Sequence, residues 1–242
     1  MDYHLGQGPS ENTGGRTTLR LWGPPSFIIA GILVAATLPL IPLIIPSLAP
    51  TSTQAGLNAL QSEGLVYGTT WVLYLVSDLL FLVAFFAIYP IIAHANLGLA
   101  RSTIGLNTSF VALDVGLDIP LRLWLIQLSN VYTSATASVQ TQLAQQAVSS
   151  TDFAINVSNE VALVATLFQF TAVILASFLL KDSPGFGKRT AYVGTATGIL
   201  SLLFIPAFLA GSQLSGIFNI LGFVLLTMWS LLVGYKFRKL HH

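Results

Sequence analysis

Leu113-Asp114-Val115-Gly116-Leu117-Asp118-Ile119-Pro120-Leu121-Arg122-Leu123-Trp124 lies inside an apolar segment long enough to cross a bilayer. It carries two carboxylates and a guanidinium at helical spacing: Asp114, Asp118 one turn on, and Arg122 a turn beyond that. At ~100° per residue these three share one helix face. An ionisable group in the hydrocarbon costs at least ~2.5–3.5 kcal/mol, so it sits where a partner or water receives it. The stretch therefore predicts a membrane helix whose charged face is turned towards other protein. The rest of the chain is expected to house that face.

The flanking composition agrees. Of the 242 residues, 54% are hydrophobic and 8% are charged, against about 25% charged in soluble domains. The fold class that follows is all-α: a polytopic membrane protein with the lipid bilayer as its first partner. A net charge of +1 provides no basic field for nucleic acid. There is no Cys, which removes disulfides, thiolate zinc sites and cysteine nucleophiles.

Six segments reach the ~20 residues that a spanning helix needs: roughly 24–48, 67–93, 103–128, 153–180, 190–210 and 213–235. The domain boundaries expected from them are a polar tail over 1–21, a transmembrane domain over 22–236 and a basic tail over 237–242, which ends in His241 and His242. Pro24 and Pro25 suit a helix start. Pro39, Pro42 and Pro46 predict a bent outer half for the first span, because each removes a backbone donor. Thr51-Ser52-Thr53 is placed to cap a short surface helix ended by Gly64. The Ser-, Thr-, Gln- and Ala-rich segment 129–152 reads as the longest loop, with a weak stripe at Val139, Leu143 and Ala147. In the fifth span, Gly194 and Gly198 form a close-packing pattern.

The basic residues separate by side. Arg16, Arg20, Arg101, Lys181, Lys188, Arg189, Lys236, Arg238 and Lys239 all flank the same ends of the six segments, and the tenth is Arg122. By the positive-inside rule both termini are expected in the cytoplasm, with the protein as a multi-pass component of the cell membrane. Counted at ~1.5 Å per residue, Asp78 then lies ~12 Å, Asp114 ~14 Å, Asp118 ~8 Å and Glu160 ~10 Å below the outer boundary.

These four acids, with Arg122 and with Tyr74 from the aromatic stripe around Asp78, are the expected ligand- or ion-binding residues. Four carboxylates against one Arg leave an excess of negative charge that low dielectric does not tolerate unpaired. Protonation, entering water or a bound cation would relieve it, and each points to proton or cation chemistry. Asp118 and Arg122 are spaced to neutralise each other, and Asp78 is nearest in depth to Asp114. Catalytic chemistries fit poorly. His94 is the one internal candidate zinc ligand, and a zinc hydrolase needs several. Ser77-Asp78 and Gly116-Leu117-Asp118 do not match the Tyr-Asp and Gly-x-Gly-Asp pairs of intramembrane aspartyl proteases. No catalytic residue, metal or cofactor is expected.

Several short motifs resemble a family of six-span prokaryotic membrane proteins classed as a domain of unknown function. They are Ile29-Ala30-Gly31-Ile32-Leu33, Asn58-Ala59-Leu60 with Glu63-Gly64, Ala87-Ile88-Tyr89-Pro90-Ile91, and Lys188-Arg189-Thr190-Ala191. The family favours an Arg and an acid near the start of the third span, whereas here the acids lie later. The resemblance implies the six-span layout and no particular activity.

Two functions of different class are compatible with the chain. One is a binder or transporter whose outward-facing acidic pocket takes a proton, cation or small cationic solute. The other is an accessory or assembly subunit whose buried charges lock helix packing against partner membrane subunits. Gln169 separates them: a subunit would turn it towards a partner, a transporter towards its own interior.

Overall fold

A computed structural model of the chain describes residues 13–48, 53–134 and 137–240, and every regular element among them is helical. The elements are α1 (Thr13–Thr37), α2 (Ile41–Leu48), α3 (Thr53–Ala95), α4 (Leu97–Leu113), a single π-helical turn (Asp114–Asp118), α5 (Ile119–Ser134), α6 (Ala137–Leu180), α7 (Gly187–Leu209) and α8 (Leu214–Lys239). Four stretches are long and apolar enough to cross a membrane: 54–95, 149–180, 187–209 and 214–239. The apolar part of α1, Leu21–Thr37, is shorter.

The helices close into a ring. α1 packs on α3 and α8, α8 on α7, α7 on α6, and α6 on α4 and α5, which return to α3. One end of the ring gathers most of the basic residues. There, positions next to Gly23 of α1 are filled by Ala87 of α3 and Phe237 of α8. The Lys236 ammonium donates to the carbonyl of Phe186 in the α6–α7 turn. We call this the basic end; it holds the start of α1 and the end of α8 together. Asn96 separates α3 from α4 by one residue and caps α4 by accepting from the Leu99 N–H.

Just above the basic end the bundle is solid. Phe27, Phe85 and Trp229, from α1, α3 and α8, meet with ring centroids 5.8–6.1 Å apart. All three are at most 1% exposed. The glycine pair of α7 does what its spacing predicts. A Cβ on Gly194 would stand 1.9 Å from Ser177 Oγ and 2.3 Å from Trp229 Nε1, and one on Gly198 would stand 2.2 Å from Ile174 Cγ1. Only glycine lets α6, α7 and α8 approach so closely.

Several sequence expectations are corrected here. The first helix does not start at Pro24; it is helical from Thr13 and runs through both prolines. Tertiary packing outweighs the lost hydrogen bonds there, since Gly234 of α8 lies against the Pro24 carbonyl and Phe27. Its proline-rich outer half is bent, as expected: the helix stops at Thr37 and resumes as α2 after residues 38–40. Gly64 ends nothing, because α3 continues for 43 residues from Thr53. The expected loop 129–152 is mostly helix, supplied by the end of α5 and the first turns of α6. Its Ala- and Gln-rich composition favours helix. Packing stabilises it too: Tyr132 and Leu128 meet Leu57 of α3, and Ser129 Oγ donates to the Leu57 carbonyl. Residues 1–12, Thr51 and Ser52, the side chains of Val139, Leu143 and Ala147, and His241 and His242 lie outside the described residues.

Candidate functional site

Towards the end opposite the basic one, the ring encloses a cavity of about 410 Å³. Every helix of the bundle contributes to its wall, and the acids enter from α3 and from the π-helical turn. That turn follows from Pro120. Proline lacks an N–H and its ring crowds the carbonyl four residues back. The chain widens by one residue instead, and the Ile119 N–H reaches the Asp114 carbonyl five residues earlier. Such single wide turns often occur at functional sites. Here it lies between two cavity-lining carboxylates, Asp114 and Asp118.

Asp118 is 2% exposed and fully engaged. One of its oxygens accepts from Arg122 Nε at 2.9 Å and also from the Ser158 hydroxyl of α6. Arg122 is held on further sides. A terminal nitrogen donates to Asn159 Oδ1 at 3.4 Å, and its guanidinium carbon lies 4.4 Å from the centre of the Trp71 ring. This cation–π contact uses the electron-rich indole face. The one basic side chain of the cavity wall is thus neutralised by Asp118 and clamped by three helices.

Asp78 and Asp114 are placed differently. Asp78, 4% exposed on α3, lies beside Asp114, and both line the cavity. Neither is ion-paired with a basic side chain among the described residues, whereas Asp118 is. Tyr74 sits one turn before Asp78, and its ring packs on that of Phe223 of α8 with centroids 5.7 Å apart.

Of the six residues expected at the site, Asp78, Asp114, Asp118, Arg122 and Tyr74 line this cavity. Glu160 does not: its side chain is exposed on the outside of α6. It follows Asn159 by one residue, and ~100° of helical rotation turns it away while Asn159 faces in. Apart from Gln169, singled out above, sequence reasoning did not assign the α6 face to the site. Asn159, Ala162, Leu163, Thr166, Gln169 and Phe170 form one stripe at three- and four-residue steps, and all line the cavity. The signal was a polar, small-residue stripe inside an apolar span. Ser201 and Asn219 complete the polar wall from α7 and α8. The hydroxyl of Ser201, 3% exposed, has no hydrogen-bond partner among the described residues. His94 is exposed near the basic end, with its Nδ1 against the Pro90 carbonyl. Among the described residues no three His, Asp or Glu side chains are grouped to hold a metal.

Comparison of the chain with family profiles, with curated proteins and with solved structures finds no match.

Proposed function

We propose that the chain spans the cell membrane six times with both termini in the cytoplasm, and that its cavity lies in the outer half of the membrane and binds a proton, a cation or a small cationic solute. The observation that carries this reading is the Asp78–Asp114 pair in the cavity wall. Arg122, the basic side chain of the wall, is committed to Asp118, so negative charge on the pair has no counter-cation there. A buried, uncompensated charge is costly, so a cation arriving in the cavity lowers the energy of the whole assembly. The six-span topology draws support from the gathering of α1's start, α8's end and the basic turns at one end. The two rods beyond the four long apolar stretches are α1 and the continuous run α4–π-turn–α5, whose charges depress its hydropathy.

Gln169 favours this reading over an accessory subunit. It is 8% exposed and lines the cavity of its own bundle. A helix prepared for a partner would turn such an amide outwards.

The test is proton release from the purified protein in weakly buffered detergent on addition of a cation, with the wild type beside Asp114→Asn. Wild type is expected to release protons and to gain thermal stability, and Asp114→Asn to do neither while keeping its helical content. Equal responses from the two proteins overturn the proposal.

A further inference from the structure

The acidic pair, the size of the cavity and its aromatic walls together define what the cavity suits. We propose that the occupant is an organic monocation with an apolar body, a protonated or quaternary amine, in place of a metal ion or a proton alone. This deepens the cation-binding reading above and rests on it.

Three features carry the inference. The first is size. At about 410 Å³ the cavity falls within the range of small-molecule sites. The second is the donor set. Hard metal cations gather about six to eight oxygen ligands in a tight shell. Here Asp118 is occupied by Arg122 and Ser158, which leaves Asp78 and Asp114 as the cavity-lining acids without a basic partner among the described residues. Two carboxyls are too few for such a shell and suit a diffuse monocation. The third is the aromatic lining. Phe110, Phe170, Phe204, Phe208 and Phe223 line the cavity from α4, α6, α7 and α8. Aromatic faces attract ammonium groups and pack hydrocarbon bodies, and they supply no oxygen ligand to a metal ion.

Phenyltrimethylammonium, its neutral isostere tert-butylbenzene, and sodium and potassium chloride are the probes. Each is titrated into the purified full-length protein in detergent by calorimetry and thermal unfolding, with Asp114→Asn and the double variant Asp78→Asn/Asp114→Asn beside the wild type. Phenyltrimethylammonium is expected to bind the wild type and to bind the double variant at least about tenfold more weakly. Tert-butylbenzene and the two salts are expected to give no saturable binding. Equal binding of cation and neutral isostere overturns the inference, because an apolar cavity alone would then explain it. Saturable sodium or potassium binding without phenyltrimethylammonium binding also overturns it, yet leaves the cation-binding reading standing. Proton release that depends on Asp114 with no organic-cation binding has the same consequence. No response of any kind overturns both. The comparison of phenyltrimethylammonium with tert-butylbenzene on the wild type needs no variant, so it decides the inference when the double variant fails to fold: saturable binding of the cation alone supports it.

Discussion

Asp118 and Arg122 show how one ion pair can be a structural device beside a functional one. Both are within 8% of full burial, and each has a partner besides the other. Arg122→Met is therefore expected to leave Asp118 buried and uncompensated, at a cost of about 3–5 kcal/mol. Adding Asp118→Asn removes the orphan charge and is expected to restore most of that loss. Denaturant titration of the three variants in mixed micelles measures it; a double mutant no better than the single one would show that the two residues are not one coupled unit. Asp114 behaves oppositely. Its shape and one acceptor survive in Asp114→Asn, and no basic side chain loses a partner, so the variant is expected to unfold within about 1 kcal/mol of wild type. Circular dichroism melts check this, and a loss far above that value would mean that the carboxylate carries the fold.

At the level of the helix, small residues set how closely the rods approach. Gly194→Ala introduces a Cβ into space held by Ser177 Oγ and Trp229 Nε1, and overpacking of this kind costs typically about 1–3 kcal/mol. Gly105, within α4, has open space where a Cβ would stand, with nothing within 4 Å. Gly105→Ala is accordingly expected to be neutral or to stabilise by up to about 1 kcal/mol, through helix propensity and a less flexible unfolded chain. The two variants measured side by side in the same detergent separate close packing from propensity. The Gly194–Gly198 spacing was legible from the sequence because a four-residue repeat of small residues has one plain use in a membrane helix. The length of α3 and α6 was not. Polar, Ala- and Gln-rich turns read equally as surface loop or as helix, and only contacts such as Ser129 with the Leu57 carbonyl select the helix.

For the whole molecule, topology is the property to test. The chain has no Cys, so single cysteines report without background. Ser138→Cys is expected to react with an impermeant maleimide from outside intact cells, and Gly187→Cys only after permeabilisation. Labelling of Ser138→Cys from the cytoplasmic side alone would overturn the proposed orientation. In the ring as a whole, a solid aromatic floor of Phe27, Phe85 and Trp229 lies between the cavity and the basic end. A cation bound in the cavity therefore meets closed packing in the cytoplasmic direction of the proposed topology.

By itself the sequence determined the apolar, helical character of the chain, the separation of its basic residues, and the identity of the acids. These depend on composition and on periodicity along one helix, which need no knowledge of neighbours. The tertiary structure alone decided which acids meet. Asp78 faces Asp114 and Glu160 faces away, although equal counting along their helices put all of them at similar depth. Depth follows from rise per residue, but facing follows from the rotation of each helix about its axis. That rotation is fixed by packing on several other rods at once, as are the wide turn at Asp114–Asp118 and the continuation of α1 through Pro24 and Pro25.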